Sequence, residues 1–201
     1  MGTPDADEDG FVIYDFNPRN LPDDYLRAVG LVAMASAQTE NVLSDFIGAV
    51  IGSDNIETMA LTTHMSFPLK DNIIRSLIEL NAATAEVVDN LDDILDSIGE
   101  AITKRNAIIH NPLIRHPETG EILSHRMKSR GSLQLALKPI TVEEIQEDAT
   151  LIYKAGMALQ SFMMLYGLSP RTRKAQLREP LDRSKKARAK RRGIENGDTP
   201  K

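Results

Sequence analysis

The sequence predicts an all-α protein, a bundle of four to five helices with a small β-hairpin or loop insert before the last helix. Three observations carry this. Apolar residues make up 41% of the 201 residues but aromatics only 4%, with no Trp, so the core must be assembled from Leu, Ile, Val, Ala and Met, the mixture that packs between helices. Apolar residues recur at spacings of three and four over long stretches, which is the period of a helix with one buried face. Pro22 and Pro68 stand where such stretches begin, and Pro112 stands where one stops.

The first long stretch, "LPDDYLRAVGLVAMASAQTENVLSDFIGAVIG", opens with Pro22 and two Asp residues, good chemistry for a helix's first turn, and reads as helix to about Ile51. Leu26, Val29, Ala33, Ala37, Glu40, Leu43 and Ile47 form its expected apolar stripe, with Glu40 embedded in it. Gly30, Ala33, Ala35, Ser36 and Ala37 keep its middle thin, so a second helix can approach closely. After the break at Gly52-Ser53-Asp54-Asn55 a short helix runs through Thr63. "SFPLKDNIIRSLIELN" is the second long helix, with Ser66 as its N-cap and Pro68 in its first turn. A third covers about 84–110, with Asp89, Asp92, Asp93, Asp96 and Glu100 on its wet face. Pro112 ends it, because proline disfavours helix at the residue before it and has no N–H to donate. "LIRHPETGEILSHRM" then gives two short runs about a Pro-Glu-Thr-Gly turn, a hairpin, with "SLQLAL" as a third strand. The last helix is "TVEEIQEDATLIYKAGMALQSFMMLYG": Thr141 and Glu144 form a capping box, Gly167 closes it, and the run "SFMMLYG" suits a core or a dimer interface.

Charge divides the chain into three segments. Residues 171–201 carry 12 Lys+Arg against 4 Asp+Glu, whereas residues 1–170 carry 12 against 25. Residues 1–20 read as a disordered acidic head, 21–168 as the bundle, and 169–201 as a basic, disordered tail too poor in large apolar residues to offset the entropy of ordering it. The tail's cluster Lys185, Lys186, Arg188, Lys190, Arg191 and Arg192 is suited to RNA phosphates; its plainer reading is a solvated chain end. The absence of Cys excludes disulfides, thiolate metal sites and cysteine nucleophiles, and fits a reducing compartment. The acidic start has neither the order of a secretory signal nor a myristoylation pattern, and no apolar run suffices to cross a bilayer. The expected location is the cytoplasm, without a membrane partner.

Chemistry concentrates in "ITKRNAIIHNPLI", residues 102–114. Leu91, Ile94, Leu95, Ile98 and Ile102 set a stripe that continues through Arg105 to Ile108 and Ile109, which puts a permanently charged guanidinium on the side expected to be buried. Burial without a partner is costly, so a carboxylate, a second chain or an anionic ligand must meet it, and Glu40 is the carboxylate expected. Asn106 and His110 are four apart and share a face, but Arg105 and His110 lie about 140° apart on a straight helix. They converge only through the reach of Arg, distortion of the helix end near Pro112, or apposition of two chains. The plain alternatives are an Arg105–Glu40 pair that joins two helices and a His110 that complements the helix dipole. His116, His125 and Glu118 flank the hairpin turn without metal-ligand spacing and read as surface residues, so no metal and no cofactor are expected.

Arg105-Asn106-Ala107-Ile108-Ile109-His110 resembles the Arg-x(4 to 6)-His motif of the HEPN superfamily, in the form Arg-Asn-x-x-x-His, and the motif's place near the end of a late long helix in a helical bundle is also similar. The likeness extends over roughly 22–168, while the insert at 111–140 departs from the simplest HEPN bundle. The resemblance implies a metal-independent endoribonuclease, active in a toxin, defence or stress setting, working as a homodimer with the motifs of two protomers at the seam. It implies His110 as acid or base, Arg105 as the phosphate clamp and Asn106 as the residue that orients His110 or the phosphate, with Lys104 adding positive potential. An antitoxin or another regulatory partner belongs to the same picture. Two rivals stand beside it: a non-catalytic HEPN-like module that holds a nucleotide or RNA without cutting it, and a helical adaptor whose stripe charges are structural and whose tail recruits a partner.

Overall fold

The computed structural model describes residues 14–81, 84–129 and 133–171. Four long helices form a bundle: α1 (Asp23–Ile51), α3 (Phe67–Asn81), α4 (Ala85–Ile109) and α5 (Val142–Leu165), with a short α2 (Asn55–Thr62) between α1 and α3. Between α4 and α5 stands a three-stranded antiparallel sheet, β1 (Leu113–Arg115), β2 (Ile122–Ser129) and β3 (Leu133–Pro139), in the order β1-β2-β3. The expected bundle, with its insert before the last helix, is therefore present. The hairpin option for the insert is the one adopted, and "SLQLAL" does supply the third strand.

Local chemistry sets the boundaries. Gly52 ends α1 in the left-handed conformation, Asp54 caps α2 by accepting from the backbone N–H groups of Ile56 and Glu57, and the Thr141–Glu144 capping box opens α5. Lys104 on α4 reaches Asp148 near the start of α5, so these two helices run antiparallel. By contrast α1 and α5 run side by side in the same direction: the Tyr25 hydroxyl donates to the Ile140 carbonyl at one end, and Phe46 meets Phe162 at the other. Their contact is the most extensive between any two helices.

The buried face of α1 differs from the expected stripe. Ala28, Val32, Ser36, Thr39, Leu43 and Phe46 are buried, while Leu26, Ala33 and Ala37 are exposed. The small residue that meets α5 is Thr39, with Ala28 and Ser36 buried along the same helix, a face turned from the one proposed, because a helix rich in alanine has an ambiguous apolar side until a neighbour selects one. The Thr39 hydroxyl lies 3.1 Å from the Ile152 carbonyl, and a Cβ added at Gly156 would stand 2.5 Å from Thr39 Oγ1 and 3.2 Å from Thr39 Cα. Backbone cannot yield as a side-chain tip can. Gly156→Ala is expected to lower stability by about 1–3 kcal/mol, read as a shift in denaturant midpoint, and a wild-type midpoint would refute this packing.

Residues 14–20 depart from the expectation of a structureless head. Asp15 pairs with Arg115 beside the free edge of β1, and Pro18–Asn20 form a 3-10 turn. Tyr14 and Phe16 set their rings edge-on to His116 and His125, at 5.7 and 5.8 Å. The alternation of a strand puts those residues on the outer side of the sheet, where a short edge would otherwise be bare. The far end is also longer than expected, since Arg171 exchanges backbone hydrogen bonds with Ser53 and Asn55 and holds the chain against the α1–α2 turn three residues past Leu168.

Burial raises the pKa of the Asp45 carboxyl above its ordinary 3.8, although the residue still touches solvent. The folded state therefore binds the proton better than the unfolded one. The resulting penalty is absent below pH 3.8 and is established as pH rises through the raised folded value. Asp45→Asn is expected to raise Tm modestly at pH 7 and to leave it unchanged near pH 3, in paired thermal melts. A variant less stable than the parent at pH 7 would contradict this assignment.

Among the described residues, no helix is long and apolar enough to cross a membrane.

Candidate functional site

The last turn of α4 collects the residues that the sequence singled out. Arg105 Nη1 donates to Asn106 Oδ1 at 2.9 Å and stands 3.0 Å from His110 Nε2. Guanidinium has no acceptor, so the ring nitrogen accepts, and His110 in this arrangement is the neutral tautomer with its proton on Nδ1. The convergence occurs within one chain. His110 is the C-cap of α4, at φ -100° and ψ -7°, and its backbone N–H still bonds the Asn106 carbonyl, so the helix continues to this point and Arg covers the angular gap by its length. Asn111 closes the end by donating to the Ala107 carbonyl, and Pro112 then turns the chain into β1.

Two features of this cluster correct the expectations. Arg105 is half-buried, and Asn106 and His110 are exposed, so the guanidinium is not sealed in the core. Nor does Glu40 reach it. The Glu40 carboxylate receives Lys70 Nζ at 2.7 Å, and the same ammonium lies 3.4 Å from the Glu40 carbonyl. The reason is positional: Glu40 adjoins Thr39, which meets Ile152 of α5, about one turn beyond the level of Asp148 and Lys104, and its side chain points towards the first turn of α3. Lys70, only 4% exposed, is the buried cation that pairs with Glu40.

Among the described residues Arg105 forms no ion pair. Its Nη1 partners are neutral, so the full positive charge remains available to an anion at an exposed helix end. The side-chain amide of Asn106 accepts from Arg105, while its backbone carbonyl takes the His110 N–H, so the side chain orients the guanidinium. Lys104 turns to the opposite flank and is held by Asp148 at 2.7 Å, an interaction that raises its pKa. Its charge is shared with α5. His116 and His125 do not face each other, because Pro112 and Glu121 are their backbone partners. Lys185, Lys186, Arg188, Lys190, Arg191 and Arg192 lie outside the described residues.

Sequence reasoning missed Arg126 and Lys138. Ser124 pairs with Lys138 and Arg126 with Ala136, so these cations rise from one face of the sheet at diagonal positions. That face turns towards α4 and α5, where the two residues line a groove of about 450 Å³ with Thr103, Lys104 and Ala107. The alternation in "ILSHRM" and the Lys-Pro end of β3 carried the signal, but only the register of the two strands places them together.

No protein-family model, curated protein or solved structure matches this chain.

Proposed function

We propose that the chain is a metal-independent RNA endonuclease of HEPN type, acting in the cytoplasm as a toxin or defence effector. One observation carries the reading: a guanidinium without a counter-ion among the described residues and a neutral imidazole meet at 3.0 Å on an exposed helix end, in the motif Arg-Asn-x-x-x-His. Cleavage through the ribose 2′-OH needs these two groups. A phosphate oxygen entering the cluster takes the hydrogen bond from Arg105 Nη1, which frees His110 Nε2 to accept the 2′-OH proton. The 2′-oxygen attacks phosphorus, the bond to the 5′-oxygen breaks, and that oxygen takes a proton from water while the His110 imidazolium returns its own to solvent, giving a 2′,3′-cyclic phosphate and a 5′-hydroxyl. Arg105 stabilises the charge that builds on the non-bridging oxygens, and Asn106 keeps its fork aligned.

The resemblance further implies a homodimer with both motifs at the seam, and an antitoxin or another regulatory partner that restrains it. The test of the reading is incubation of the purified full chain with total RNA in EDTA, followed by mapping of the new ends. Cyclic-phosphate and 5′-hydroxyl ends in a dimeric preparation support it. An RNA that is bound and left intact transfers the site to the non-catalytic HEPN-like binding module.

A further inference from the structure

We propose that the groove between the sheet and the α4–α5 pair is a second phosphate-binding site, which grips the backbone of the RNA strand beside the scissile phosphate. This rests on the RNA reading of the Arg105–His110 end, and it adds to that reading a set of residues on another element. The first support is an unmet hydrogen-bonding demand. Arg126 Nε is buried and has no hydrogen-bond partner, and neither Arg126 nor Lys138 forms an ion pair among the described residues. A buried donor of a charged group left unpaired is costly, and natural structures rarely tolerate one without a ligand or a water to accept from it. Two like charges on diagonal sheet positions add repulsion that an anion between them removes.

The carboxylates in the groove do not fill this role equally. Glu144 accepts the Thr141 N–H in the capping box, and Asp148 accepts Lys104 Nζ, so both are committed. Glu147 also lines the groove, raises the pKa of Lys104 by its charge, and forms no ion pair among the described residues. Glu144 keeps its charge while it caps α5, so the lining carries three cations against three carboxylates, and the case for a phosphodiester rests on the donors of Arg126 and Lys138 that none of these carboxylates accepts.

Position supplies the second support. Thr103 lines the groove and lies seven residues before His110, which on a helix is two turns along nearly the same line, about 10 Å away. Ala107 lies between them, and its missing side-chain bulk keeps the surface low. A strand laid along this line meets Arg105 and His110 at one phosphate and Arg126 and Lys138 one or two nucleotides on. Phosphate contacts of this kind fix register and orientation without reading bases.

The test compares the full chain with Arg126→Gln/Lys138→Gln and with Lys138→Glu alone, the latter at an exposed position where folding is not at issue. On a long RNA, the double variant is expected to raise KM about tenfold with kcat retained, and to lower the slope of log affinity against log salt by about one to two. A dinucleotide too short to reach the groove is cleaved equally by all forms. Binding of a 2′-O-methyl RNA, which cannot be cut by this route, separates the two readings. If that binding weakens in the variants while the parent cleaves nothing, the groove stands and the nuclease reading falls. If both variants bind and cleave long RNA as the parent does, with an unchanged salt slope, the groove proposal is overturned, whatever Arg105 and His110 do.

Discussion

Replacing His110 with Ala is expected to lower the rate of RNA cleavage in EDTA by about 10²–10⁴-fold, the range that a positioned proton acceptor contributes. The substitution removes an exposed side chain at a helix C-cap, so the variant should melt within about 1 kcal/mol of the parent. Arg105→Ala is expected to cost about as much, because it removes the cation at the end of α4 that no acid among the described residues neutralises. Arg105→Lys separates charge from geometry: an ammonium restores a point charge but not the fork that serves Asn106 and a phosphate together, and should recover only part of the rate. Asn106→Ala should have the smallest effect of the set, since it acts through the guanidinium. Cleavage at the parental rate by folded His110→Ala or Arg105→Ala protein would end the nuclease proposal.

Removal of the Glu40 side chain gives the largest expected loss of stability. Lys70 Nζ is almost wholly enclosed, with 5% of its side chain exposed, while 38% of the Glu40 side chain is exposed. The two halves of the pair are therefore unequal. Glu40→Ala strands a buried ammonium and is expected to cost about 3 kcal/mol, a fall in Tm of about 10 °C, whereas Lys70→Met leaves a carboxylate that water can reach and should cost clearly less. The double variant Glu40→Ala/Lys70→Met should be more stable than Glu40→Ala alone, because the stranded charge is gone. Equal losses for the two single variants would show that the asymmetry of burial does not govern this pair. Cleavage should be unchanged in Lys70→Met, since neither residue touches the Arg105 cluster.

The pair also shows how far pattern alone could reach. Glu40, embedded in the apolar run of α1, was the carboxylate expected for Arg105, and the structure pairs it with Lys70 instead. Lys70 gave no comparable signal, because in "FPLKDNII" it occupies a first turn, where a lysine is ordinarily solvated. Its burial follows from α2, which brings α3 down against the middle of α1.

What the sequence by itself determined was local. Helix extents, the Thr141–Glu144 capping box, the stop at Pro112 and the hairpin about Pro117-Glu118-Thr119-Gly120 each depend on residues within a turn or two of one another, and each is where the pattern put it. The Arg105-Asn106-His110 grouping belongs partly to this class, being set by a helix end and the length of one side chain. The tertiary structure alone decided which side of α1 is buried, because an alanine-rich helix offers two nearly equal faces and the arrival of α5 at Thr39 selects one. It alone decided the pairing of Glu40 with Lys70, and the meeting of Arg126 with Lys138 beside Thr103 and Ala107. These contacts join residues distant along the chain, and their geometry depends on helix order and strand register, which no local preference encodes.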